Sequence, residues 1–240
     1  MLAGNIDSYL QDRSLPRADS PRFQETLHLH GLQTEDHLRI QPQIEAKIDK
    51  GFFVSGDGVW TCYRRNYFTV ICSYLLQPSG SFGQLYFYNR GDDVGTPTRK
   101  AVKALSMCIR AEVAEVDGTG KSIELIQHSP KRDRGSVVSI IPVPMWPTTE
   151  TTEHANKRWS LLLQDVRDPW IHGFDRIQFK QATANNGKRR AKQHYFTIVI
   201  ELLCDIRENA ESNPVWITVA QRRSEPVVVR GRSPSHYAKE

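Results

Sequence analysis

No run of about 18 apolar residues occurs in the 240 residues, so no membrane-crossing helix is expected. Cysteine is scarce. Cys62, Cys72, Cys108 and Cys204 stand singly inside apolar stretches, and no CxxC pair exists. That argues against a clustered zinc site or a thioredoxin-type motif and fits buried, reduced thiols in an intracellular protein. N-x-S/T sequons are missing, and the opening MLAGNIDSYLQDRS has early acids and no apolar segment, so a secretory signal is not expected.

Catalytic constellations are missing too. There is no GxSxG elbow, and Asp92-Asp93 in a Gly-containing loop reads as a solvated turn rather than an acid–base pair. Gly120-Lys121-Ser122 matches the end of a phosphate-binding loop, but Glu115 stands where that motif needs its first glycine. Its charge would repel a phosphate, so a hairpin turn explains these residues. His28 and His30 form an HxH pair without further ligands nearby, and a closed zinc site needs four. Neither an enzyme nor a metal or small-molecule cofactor is expected.

The chain does contain enough apolar material for a core, 39% against 25% charged residues. Its net charge is +5, unevenly placed. Residues 1–175 hold 20 Lys/Arg and 21 Asp/Glu, whereas residues 176–232 hold 11 and 5. The basic excess therefore lies in one late segment. A localised basic surface suits a polyanion, most simply nucleic acid; it suits equally a solvated face with no partner.

Residues 1–38 read as a loosely packed arm with a short strand near Thr26–Leu29. Thereafter β-branched and aromatic stretches recur between turn clusters. Strands are expected near 39–48, 59–63, 67–76, 85–89, 102–116, 122–127, 137–142, 176–180, 194–206, 215–221 and 226–230. Leu105, Met107, Ile109, Ala111 and Val113 alternate onto one face, and Asp117-Gly118-Thr119-Gly120 should close a hairpin behind them. Trp159, Leu162, Leu163 and Val166 recur at helical spacing, which predicts one helix over Thr151–Asp165. These features predict a single β-sandwich domain over residues 39–240, with long loops and few helices.

Three arginine-bearing loops interrupt the strands. In Tyr63-Arg64-Arg65-Asn66-Tyr67-Phe68, a straight strand would send one of two adjacent cations into the core. An unpaired buried charge costs several kcal/mol, on the order of 3–5, so a bend aiming both outward is expected. His128-Ser129-Pro130-Lys131-Arg132-Asp133-Arg134-Gly135 is a turn in which Asp133 can hold Arg132 or Arg134 in a fixed geometry, and a fixed guanidinium forks onto guanine O6 and N7. The segment 184–192 carries Lys188, Arg189, Arg190 and Lys192, which suit phosphate contacts and also match a short nuclear import signal. Each loop alone reads as solvated surface. Together they can meet at one end of a sandwich. A protein-interaction module of the same fold, without DNA affinity, is the alternative.

Several strings are familiar in order and wording: KIDKGF (47–52), WTCYRRNYFTV (60–70), IELIQHSPKRDRG (123–135), DRIQFKQATANNGKRRAKQHYF (175–196) and VVVRGRSPSHYAK (227–239). The chain resembles the NDT/PhoG family of fungal transcription factors, and within it the filamentous-fungal, vegetative-incompatibility (VIB-type) branch. The resemblance implies an immunoglobulin-like β-sandwich of the Rel/STAT type, located in the nucleus. It implies that the domain binds double-stranded DNA as a monomer, at a G·C core beside an A·T run. The programme it would serve is fungal development, incompatibility or the nutrient and starvation response. By motif position, the base-reading arginines fall on Arg132, beside Lys131 and Arg134, and on Arg65, beside Arg64 and Tyr67. A third falls on Arg176, and the following basic loop falls on Lys188, Arg189 and Arg190. Arg230 and Arg232, in the closing string, serve either DNA or the fold.

Overall fold

The structure, a computed structural model, describes residues 19–89, 99–115, 120–129, 137–148, 169–184 and 193–231. Seventeen strands run through these residues: β1 Leu27–His28, β2 Gly31–Gln33, β3 Arg39–Lys50, β4 Phe53–Val54, β5 Trp60–Tyr63, β6 Phe68–Gln77, β7 Tyr86–Tyr88, β8 Lys100–Ala101, β9 Ala104–Val113, β10 Ser122–Ile123, β11 Leu125–His128, β12 Val137–Val138, β13 Val143–Pro144, β14 His172–Phe179, β15 Phe196–Asp205, β16 Trp216–Arg223 and β17 Val228–Arg230. No helix occurs among the described residues. The helix expected over Thr151–Asp165 lies outside them.

The strands build two large sheets. One has the order β1-β16-β15-β9-β10, with β13 also on β9; the other runs β12-β11-β14-β6-β3-β2-β7-β8. A smaller sheet, β17-β5-β4, stands beside them. Ile44, Val70, Cys72 and Tyr74 of the second sheet share one apolar cluster with Met107, Ile109, Ala111, Ile198, Ile200 and Leu202 of the first. The architecture is mainly β, a sandwich of antiparallel sheets around a common core.

Local sequence explains most of this. In β9, Met107, Ile109 and Ala111 are buried and Leu105 and Val113 pack on the same cluster, the face that alternation defines. In β6, seven successive residues from Phe68 to Tyr74 are buried, because that strand lies between β14 and β3 and is covered on both faces. Both large sheets are also pinned by polar contacts: Arg222 of β16 donates to the Ile44 carbonyl at 2.7 Å, and Ile44 N donates to Thr26 Oγ1 at 3.0 Å.

The first described residues are packed rather than loose. β1 pairs with β16, Phe23 bridges Ser224, and Leu32 of β2 is fully buried between β3 and β7. β1 falls on the short strand expected near Thr26–Leu29, whereas β2 is too short to show a period. The same limit hides β4 and β8. The three cysteines Cys62, Cys72 and Cys204 are buried free thiols, and Cys108 is half-buried. Burial pushes the Cys62 and Cys204 thiols up to about 12. The two imidazoles of the HxH pair go to separate groups, His28 to the Pro42 carbonyl at 2.8 Å and His30 to Asn89 Oδ1 at 3.2 Å.

Candidate nucleic-acid interface

The Arg64–Arg65 pair leaves the strand as the physics of buried charge requires. After β5 the chain turns, with Asn66 N donating to the Tyr63 carbonyl at 2.8 Å, and β6 starts at Phe68. The two cations then part. Arg65 is exposed, and no described residue pairs with its guanidinium. Arg64 is half-buried and its Nη1 donates to the Lys180 carbonyl at 3.0 Å. The expected bend therefore frees one cation and folds the other back along the surface, where a main-chain acceptor is within reach.

Arg176 is placed by an irregularity. β14 pairs with β6 through Phe174↔Val70 and then Ile177↔Phe68, so Asp175 and Arg176 together oppose Thr69. This bulge keeps both Phe174 and Ile177 in the core although they are three residues apart. Arg176 takes a left-handed backbone, φ 54°, which is costly for a side chain with a Cβ. Bulges re-aim side chains in this way. The strand thus begins at His172, four residues before its expected start, and Arg176 stands inside it rather than at its end.

The Arg176 guanidinium lies over the Tyr67 ring, 4.4 Å from the centroid. The Tyr67 and His128 rings meet edge to face with centroids 5.4 Å apart. His128 Nε2 donates to Gln178 Oε1 at 3.0 Å, and Gln178 Nε2 donates to the Arg65 carbonyl at 2.5 Å. Gln127 Nε2 reaches the Asp175 carbonyl at 3.2 Å. Arg65, Tyr67 and Arg176 therefore meet at one rim of the second sheet, where the start of β6 and the end of β11 lie beside the bulge of β14. No described carboxylate pairs with Arg65 or Arg176.

Lys131, Arg132 and Arg134 lie outside the described residues, but their flanks do not. His128, which touches Tyr67, pairs with Val137 across β11 and β12. Lys188, Arg189 and Arg190 are outside as well. Ala184 and Gln193, which bracket them, are joined by a hydrogen bond of 3.4 Å. Thr183 N donates to the Val229 carbonyl at 2.9 Å, which sets that bracket against β17. β17 runs parallel to β5 with Arg230 opposite Tyr63, and the Arg230 carbonyl accepts Arg64 N at 2.8 Å. Arg230 thus braces the Arg64 turn through its main chain, while its guanidinium stands 3.7 Å from Asp57. Arg232 lies outside the described residues.

Some neighbours escaped the sequence reading. Lys50, exposed at the end of β3, pairs in register with Thr69 opposite the bulge. It lies within the KIDKGF string, which was the available signal. Gly51 follows with φ 103°, and a Cβ there would sit 2.6 Å from Phe68 Cβ and 2.7 Å from the Tyr67 carbonyl oxygen. Only glycine lets this turn lie against the start of β6. His128 and Gln178 also lie within quoted strings (123–135 and 175–196), but their role exists only through partners distant in the chain.

Fold and rim together define a β-sandwich that brings the Arg65 turn and the Arg176 guanidinium beside the Tyr67 ring, with no carboxylate on either cation among the described residues. The chain belongs to the NDT80/PhoG-like DNA-binding family, whose model matches residues 59–240. It is 24% identical to the transcription factor NDT80 of Candida albicans, over 85% of this chain and 53% of that protein. To the transcription factor vib-1 of Neurospora crassa it is 27% identical, over 81% of this chain and 28% of the relative. It is 23% identical to the meiosis-specific transcription factor NDT80 of Saccharomyces cerevisiae, over 84% and 39%. The chain spans about half or less of the length of these relatives.

Proposed function

We propose that this chain is the DNA-binding domain of a nuclear transcription regulator and binds double-stranded DNA as a monomer at a G·C core beside an A·T run. The single observation that carries this is the meeting of Arg65, Tyr67 and Arg176 at one rim, within a chain of a DNA-binding family. Arg65 and Arg132 read guanines in the major groove, where a guanidinium forks onto O6 and N7. Arg176, steadied on Tyr67, is a third base or phosphate contact. Arg64, Lys50, Lys131, Arg134, Lys188, Arg189 and Arg190 hold the phosphate backbone, which sets position rather than sequence.

The test is a gel shift with a G·C-core/A·T-run duplex against its scrambled version, with the wild type and Arg65→Ala. The substitution should cost about 1–3 kcal/mol on the specific duplex and relax preference at one base pair. Equal weakening on both duplexes would reduce Arg65 to a phosphate contact. No shift with either duplex would favour the protein-interaction reading of the fold.

A further inference from the structure

We infer that Gln178 is a positioning residue for sequence recognition, because it sets the Arg65 turn in register with the Arg176 bulge and the end of β11. This rests on the DNA-binding reading above and adds to it a residue that touches no base. Its carboxamide lies between two elements that the chain brings together from far apart. Its oxygen accepts from His128 Nε2 at 3.0 Å, at the last residue of β11 and three positions before Lys131. Its nitrogen donates to the Arg65 carbonyl at 2.5 Å. Gln178 itself stands two residues after Arg176, in the strand that carries the bulge. One amide therefore touches the loop bearing Arg65 and the strand leading to Arg132, from the strand that carries Arg176.

The polarity of the bridge is determined. A carbonyl oxygen only accepts, so the Arg65 end must be the amide nitrogen, and His128 must then donate to the amide oxygen. A flipped amide would set its oxygen against the Arg65 carbonyl oxygen and lose that bond. The Arg65 turn has few other restraints: Asn66 N to the Tyr63 carbonyl, Arg64 N to the Arg230 carbonyl and Arg64 Nη1 to the Lys180 carbonyl. Those bonds hold the Arg64 side of the turn against β17 and β14. The bond from Gln178 holds the Arg65 peptide itself, whose side chain is free to reach a base. Bidentate recognition needs the guanidinium in a narrow range of position and plane, so a loosened Arg65 peptide should lose discrimination before it loses attraction to phosphate.

The experiment uses Gln178→Met, which keeps the length of the side chain and removes both hydrogen bonds. Binding is measured to the specific duplex, to its single-base variants and to a scrambled duplex, at several salt concentrations. Expected is a loss of discrimination of about fivefold to a hundredfold at the base pair read by Arg65, within the worth of one bidentate contact, with scrambled-duplex affinity and salt slope unchanged. In Arg65→Ala the same Gln178→Met change should have little further effect, since the two act through one contact. His128→Phe keeps a ring against Tyr67 and removes the donor that orients the amide, so a smaller loss at the same base pair is expected. Loss that is equal in the wild-type and Arg65→Ala backgrounds, or full discrimination in both Gln178→Met and His128→Phe, overturns the assignment. If Arg65→Ala itself leaves discrimination intact, the reading of Arg65 as a base contact fails instead.

Discussion

Arg65 shows how much one residue reveals by itself. Two adjacent cations inside strong β sequence predicted a bend from the cost of burying charge, and the chain turns there. Which cation would stay free was not legible, because the Lys180 carbonyl that captures Arg64 lies just past β14, 116 residues away in sequence. Gly51 is a second case. Its φ of 103° and the atoms of Phe68 and Tyr67 within 2.8 Å leave no room for a methyl group. Gly51→Ala is expected to cost about 1–3 kcal/mol of backbone strain, with further loss from the clash, measured by urea unfolding. The displaced start of β6 should also weaken specific DNA binding. A variant as stable as the wild type would show that the turn can move aside.

At the scale of elements, the junction between β15 and β16 rests on a buried carboxylate. Asp205 is fully inaccessible at the end of β15. Its Oδ1 accepts Arg207 N and Val215 N, each at 3.0 Å, and its Oδ2 accepts the Arg207 guanidinium at 2.5 Å. Burial alone would raise the Asp205 pKa. The bonds from the Arg207 side chain and main chain and from Val215, with the Arg207 charge, outweigh it and hold the carboxyl below its ordinary value. A carboxyl depressed in the folded state contributes stability above its unfolded pKa of about 3.9, and that contribution disappears as pH falls through the lower folded value. Asp205→Asn should therefore lower stability at pH 7 by about 1–3 kcal/mol and flatten the acid limb of the stability profile. Urea unfolding of both proteins from pH 7 to acid checks this, and parallel acid limbs would remove the carboxylate from the account. The long strands themselves were legible: β6, β9, β15 and β16 carry the period or the unbroken apolar run of their position in the sheets. The bulge in β14 was not, since it exists only in the pairing with β6.

Across the whole molecule, charge and shape act together. The basic excess lies in residues 176–232; the described part of that segment sets Arg176 on Tyr67, and Arg230 and the bracket at Ala184 and Gln193 beside the Arg64 turn. If the proposed cations neutralise roughly five to seven phosphates, the slope of log affinity against log salt should be about −4 to −6. A fluorescence titration across salt concentrations measures it, and a flat response would remove the electrostatic basis of the interface. The sequence alone determined the class of fold, the long strands and the segments that carry cations, because alternation, apolar runs and the penalty for buried charge act over a few residues. The tertiary structure alone decided that Arg65, Tyr67 and Arg176 share a rim, that Arg64 folds back onto the Lys180 carbonyl and that Gln178 joins them. Those outcomes depend on strand register and on hydrogen bonds between residues 50 to 116 positions apart, which no local pattern encodes.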